Sequence, residues 1–216
     1  MLAIVLPLAV LGGVLFVPVR RIWRQDAATK PWRGLGTWWP AQPEQGALEW
    51  IRATYPAGAS RALGIGHGDR ITATVYGQHR GYRVSAHEWE WRELGANRPR
   101  TVQRTVLAIE LPISVPGLEI QRCGGGSDLV LGMPEFDSAF RVLAADPGFA
   151  RAVLTPPVTR WLLTDPRAEY YPVRFLGAMV STAERGSLRT ESLGPPADFL
   201  IELLSRVPAQ VWHRRV

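Results

Sequence analysis

The sequence predicts an α+β protein: an N-terminal transmembrane helix, then one domain with a mainly antiparallel sheet packed by C-terminal helices. Three observations predict it. Residues 1–19 carry no charged side chain. Residues 71–120 hold several short alternating runs rich in β-branched side chains. Residues 146–211 carry Asp-Pro and Pro-Pro helix starts, each followed by apolar residues at helical spacing. The organisation that follows is a transmembrane anchor over 1–19, a juxtamembrane linker rich in Trp, Arg and Pro over 20–46, and a soluble α+β domain over 47–216.

The anchor reads LAIVLPLAVLGGVLFVPV over residues 2–19. At about 1.5 Å per residue an uncharged run of this length spans roughly 29 Å, close to the hydrocarbon thickness of a bilayer. In lipid the backbone must satisfy its own hydrogen bonds, so a helix is the expected form, and Pro7 and Gly12-Gly13 are tolerated there. A cleaved signal peptide needs a basic start and a small-x-small exit. This segment has Met1-Leu2 at its start and Phe16-Val17-Pro18-Val19 at its end. A buried soluble helix rarely needs so long an uncharged terminal run.

Orientation follows from the flanks. Arg20, Arg21 and Arg24 lie just after the span, with only the α-amino group before it. Positive side chains stay on the cytoplasmic side, so the expectation is a single-pass protein of the cell membrane with its large C-terminal domain in the cytoplasm. Arg20, Arg21, Trp23, Arg24 and Trp32 are the expected membrane-interface residues, because indoles favour the headgroup layer and arginines favour anionic lipid. Trp38 and Trp39 either extend this collar or pack under the domain. The single cysteine, Cys123, excludes an internal disulfide and fits a reducing compartment.

The chain is basic, with a formal charge of +6. Such a balance invites a nucleic-acid reading, but the charge is badly placed for it. Residues 20–33 hold five basic side chains against Asp26, and Arg214 and Arg215 close the chain. The remainder is neutral, so a nucleic-acid partner is not expected.

Within the body, Leu48, Ile51 and Tyr55 predict a short helix over 47–55. Ile71 to Tyr76 and Tyr82 to Trp91 predict two strands around a turn at Gly77 to Gly81. Val102 to Leu111 and Val115 to Ile120 predict a third and a fourth, short strand. Gly124, Gly125 and Gly126 mark a flexible break. Phe140 to Leu143 predicts a strand, and Asp146-Pro147 a helix start with aspartate as cap. Pro156-Pro157 interrupts that helix before Val158, Trp161, Leu162 and Leu163. Tyr170 to Val180 predicts a strand, and Gly186 a hairpin turn. Pro195-Pro196 opens a last helix whose Phe199, Leu200, Leu203, Leu204, Val207 and Val211 form one apolar face, expected to pack on the sheet.

Chemistry-bearing motifs are sparse. The chain has no GxSxG, GxxxxGK[ST], HExxH or EF-hand pattern, so no catalytic residue, cofactor site or metal site is expected. Gly64, Gly66 and Gly68 precede a strand, not the helix that a dinucleotide cradle requires, and read as a turn. His67, His79 and His87 lie on or beside adjacent strands and would have to converge to hold zinc. Glu88, Glu90 and Arg92 alternate onto one strand face, expected to be solvated. Glu135 and Asp137 are the acidic pair that acid–base chemistry would most readily use.

The stretch DLVLGMPEFDSAFRVLAADPGFARAVLTPPVTRWLL, from Asp128, resembles the C-terminal part of a family of actinobacterial-type, single-pass membrane-anchored proteins of unknown function. The shared pattern is an acidic–phenylalanine strand at Glu135-Phe136, then Phe140-Arg141-Val142, Asp146-Pro147, Leu154-Thr155-Pro156 and Trp161-Leu162-Leu163. Gly81 to Val84 and Leu107 to Pro112 loosely fit as well. These are packing motifs. The resemblance implies a membrane-tethered α+β domain and carries over no catalytic residue.

The functional expectation is a membrane-tethered, non-enzymatic binding or scaffolding domain whose partners are the lipid bilayer and a membrane-proximal protein. The alternative is an enzyme of unrecognised type acting on a membrane-proximal substrate.

Overall fold

A computed structural model of the chain describes residues 38–55, 69–94, 98–123 and 129–213. The predicted anchor, the interface residues Arg20, Arg21, Trp23, Arg24 and Trp32, His67 with its flanking glycines, and the Gly124 to Gly126 break lie outside them. Among the described residues no helix is long and apolar enough to cross a membrane.

The elements are β1 (Trp38–Pro40), α1 (Ala47–Thr54), β2 (Arg70–His79), β3 (Tyr82–Leu94), β4 (Pro99–Arg122), α2 (Pro134–Ala139), β5 (Phe140–Ala144), α3 (Pro147–Val153), α4 (Pro156–Thr164), β6 (Val173–Arg185) and α5 (Gly194–Arg206). Short 3-10 turns follow α4, β6 and α5. The strands pair in the order β1-β2-β3-β4-β5, with β6 on the other edge of β4, and every pairing is antiparallel. The fold is α+β: an antiparallel sheet with helices packed on it.

Alternation sorts side chains onto two faces. On one, Val84 stands opposite Ile109 and Ala86 opposite Leu107. They join Phe136, Phe140, Phe175, Phe199 and Leu200 in the main core under α2 to α5. On the other, Trp89 and Trp91 pack at 4.5 Å and share a smaller core with Ile51 and Tyr55 of α1. The predicted face of the last helix, Phe199 to Val211, is buried as expected.

Local chemistry explains most boundaries. Asp146 caps α3 by accepting the Gly148 amide at 2.7 Å, as predicted. The β2–β3 turn is only Arg80-Gly81, both in the left-handed region (φ 49° and 83°), so β2 runs on to His79 where a longer turn was expected. Trp38–Pro40, placed above in the linker, pairs with β2. Glu135-Phe136 lies on α2, not on a strand, because Pro134 opens a helical turn there. Gly186 ends β6 without forming a hairpin: the chain leaves the sheet towards α5.

The largest departure is β4. The two strands expected at Val102 to Leu111 and Val115 to Ile120 are one strand. Pro112 and Pro116 fall where pairing with β6 slips. From Glu110 to Val115, β4 advances five residues while β6 retreats two, from Met179 to Gly177; a second slip lies between Val115 and Leu118. Pro112 and Pro116 cannot donate to a ladder, and a bulge removes the demand. Opposite them Gly177 takes φ 60°, a conformation L side chains avoid.

These irregularities bend the β4–β6 ribbon sharply. The Ser181 hydroxyl donates to the Arg174 carbonyl at 3.4 Å. On a straight strand seven residues would separate them by roughly 23 Å. Further out, Tyr171, just before β6, and Glu184, near its end, lie close enough for the carboxylate to raise the tyrosine's pKa.

Candidate functional site

The bend makes a seam where the ribbon meets itself, and a cleft of about 530 Å³ opens along it. Arg104 from the start of β4, Gln121 and Arg122 from its end, and Glu184 and Arg185 from the end of β6 line it. Glu169, Tyr170 and Tyr171, from the turn before β6, complete the wall. Three arginines that are far apart in sequence therefore line one space.

Each wall has a physical support. Arg122 donates to the Leu163 carbonyl at 3.3 Å and lies 5.5 Å from the Phe140 ring. Arg104 lies 5.7 Å from the Trp91 ring. The turn carrying Glu169 to Tyr171 is tied down by Arg167, which pairs with Asp165 at 2.6 Å and with Glu202 of α5 at 2.8 Å. That hydrogen bond from Arg167 holds the Asp165 carboxyl below the usual carboxylate range. Tyr171 packs on Phe199 with Glu184 nearby, while its neighbour Tyr170 is 71% exposed. Burial and the adjacent Glu184 push the Tyr171 hydroxyl up to about 12. Burial also raises Glu184 above its ordinary value.

Behind the seam, Tyr55 is buried with its hydroxyl 2.9 Å from Ser181, and burial pushes it up to about 12. Arg174 lies 4.4 Å from the Tyr55 ring, donates to the Thr54 carbonyl and pairs with Glu119 at 2.8 Å. This cluster fastens α1 to the ribbon on both sides of the bend. A second cleft, about 470 Å³, lies over Gly77, Ser85 and Ala108, but its charged walls, Arg83 and Glu110, are paired with each other.

His79, His87, Glu88, Glu90 and Asp137, singled out from sequence, make contacts within the fold. His79 faces α5 and meets Asp198 at 2.7 Å, whereas His87 faces the α1 side and meets the Thr74 hydroxyl at 3.0 Å. The two imidazoles stand on opposite faces of the sheet, and no cluster of metal-ligating side chains occurs among the described residues. Burial pushes His87 down to about 4, so it is neutral at pH 7. Glu88 is 4% exposed, which corrects the expected solvated face. Its carboxylate accepts the Thr72 hydroxyl and the Leu188 amide, pinning the β6–α5 connection to the sheet. Glu90 bonds Arg70 and Gln103. Asp137 accepts the amides of Leu131, Gly132 and Met133 at 2.9–3.0 Å, so its carboxylate organises a loop; Glu135 is exposed. Cys123 is exposed beside Arg122 and Glu169.

Sequence reasoning missed the arginines of the seam. Arg104, Arg122 and Arg185 fall in no motif and converge only through the bend. The one available signal was Pro112 and Pro116 inside an otherwise continuous β-rich stretch, which marks a bulged, bent strand as well as a strand break. Comparison with family models, with curated proteins and with solved structures gives no match to this chain.

Proposed function

We propose that this chain is a membrane-tethered binding or scaffolding protein, non-enzymatic, of the kind its resemblance to single-pass membrane-anchored bacterial proteins implies. Its partners are the bilayer and a membrane-proximal molecule. One observation carries the reading: the uncharged run of residues 1–19 stands close in sequence to a folded domain. Only residues 20–37 separate that run from β1. A fully extended chain of that length reaches about 60 Å, so a domain so attached stays near the membrane surface. Arg20, Arg21, Trp23, Arg24 and Trp32 provide the interfacial collar in this reading, and the positive flank sets the domain in the cytoplasm. The open seam, with its arginine rim, supports binding as the domain's task.

The test is fractionation of the full-length chain together with a reporter fused after Val216. The expected result is a carbonate-resistant membrane protein, released by detergent, whose reporter is active only in the cytoplasm. Recovery of the intact chain in the aqueous fraction without detergent, or a mature chain lacking its first two dozen residues outside the cell, overturns the proposal.

A further inference from the structure

The geometry points to the second cleft, on the α1 side of the sheet, as a binding site for a neutral, mainly apolar small molecule carrying one carbonyl or hydroxyl group. This goes beyond the reading above. The cleft shares no lining residue with the seam, and the site does not depend on the membrane tether.

Register builds the floor. Across four adjacent strands Tyr76 stands opposite Ser85, Ser85 opposite Ala108, and Ala108 opposite Ser181. Alternation puts this row on the α1 side, one step along from His87 and Val106. At one end of the row Tyr55 reaches the Ser181 hydroxyl. Ser85 and Ala108 instead line an opening of about 470 Å³, within the range of small-ligand sites. Gly77 adjoins them, and glycine inside a strand often marks close approach by a ligand.

Ser85 carries the inference. It is only 5% exposed, yet its hydroxyl makes no hydrogen bond among the described residues. Buried hydroxyls are ordinarily paired, and the other two in this row are. The Tyr76 hydroxyl accepts the Glu44 amide at 3.1 Å, and Ser181 meets Tyr55 at 2.9 Å. A buried hydroxyl that opens on a cavity can donate to, or accept from, one polar atom of a ligand.

The walls set the rest of the ligand. Tyr76 and Met179 offer apolar surface. Tyr76 is fixed before a ligand arrives, by the Glu44 amide and by its edge contact with the His87 ring at 6.0 Å. Arg83 and Glu110, at the mouth, pair with each other, and the Glu44 carboxylate is exposed at the rim. An ion on the floor would lose its water and meet no buried counter-charge there, so a neutral molecule suits the site.

The experiment is an NMR titration of the full-length chain in detergent micelles, read on carbon-labelled methionine methyls. The probe is benzylacetone. Butylbenzene is its counterpart without the carbonyl, and hydrocinnamate and phenylpropylammonium are its anionic and cationic counterparts. Benzylacetone should move the Met179 methyl saturably and leave Met133, which packs against the main core, in place. Ser85→Ala should weaken benzylacetone about fivefold, the worth of one hydrogen bond, and leave butylbenzene unchanged. Each ratio compares one ligand with itself, so its partition into micelles cancels. Ser205→Ala, exposed on α5, should change neither. Ala108→Leu fills the floor and should abolish binding of both. Circular dichroism checks that this variant folds, and Ser85→Ala, which orphans no partner, decides the matter if the leucine is not accommodated. Absence of a saturable shift at Met179, or benzylacetone binding indifferent to Ser85→Ala, overturns the inference. So does tighter binding of either ionic counterpart at equal free concentration.

Discussion

His87 stands among Thr74, Tyr76 and the α1-side core with 3% of its surface exposed. Burial lowers its folded-state pKa to about 4, against about 6.5 in the unfolded chain. The unfolded state therefore binds more protons between those values, and stability rises with pH through that window. The contribution is fully present above pH 6.5 and lost as pH falls to about 4, on the order of 3 kcal/mol in all. Urea melts at pH 7, 6, 5 and 4 should show this slope, and His87→Asn should flatten it. An unchanged slope in that variant would mean another group carries the dependence. Other residues at this scale show why the sequence misleads. Glu88 and Asp137 look like surface carboxylates in a linear reading. Each is instead satisfied by backbone amides, and those come from residues whose proximity only folding creates for Glu88, and from a local loop for Asp137.

At the scale of elements, the bend depends on the bulged stretch of β4 and on Gly177 opposite it. Gly177 has φ 60° and open space where a Cβ would stand. Substitution there costs backbone strain without a clash, so Gly177→Ala should destabilise by about 1–2 kcal/mol. Gly117→Ala is the comparison: its added Cβ would meet Ala145 and Leu176 at 3.8 Å, an ordinary contact. It should change stability by no more than about 0.5 kcal/mol. Equal effects of the two substitutions in thermal melts would refute the role given to Gly177. Elements with a local cause were legible in the sequence: α3 through Asp146-Pro147, α4 through Pro156-Pro157, α5 through its apolar face, and β2 and β3 through alternation. β4 was not, because a proline in a bulge and a proline ending a strand look alike until the partner strand is known. The seam inherits that blindness. Arg104 and Arg185 are opposed by register, and Arg122 joins them only because the ribbon turns back.

At the scale of the whole molecule, β4 belongs to everything. Its first half pairs with β3 and the end of β6; its second half pairs with β5 and the start of β6. It contributes Val106 to the α1-side core and Leu107, Ile109, Leu118 and Ile120 to the main one. Neither core can open without breaking the strand that serves the other. Native-state hydrogen exchange should therefore give amides near Val106 and near Ile120 the same opening free energy, equal to global unfolding. Two separated values would show that the halves on either side of the bend unfold independently. α1 is held on both sides of the bend through Tyr55, Ser181 and Arg174, so it should exchange with them and not as a frayed terminal segment.

The doubled-back ribbon also sets a timetable for the growing polypeptide. The Thr105 hydroxyl reaches the carbonyl of Gly186, 81 residues further along. At about 5–20 residues per second, a ribosome needs roughly 4–16 seconds to add that length. Throughout that interval one flank of the longest strand has no mate. Its sticky amides and apolar side chains are then exposed to neighbours, and a holding chaperone would find its best grip on this stretch of nascent chain.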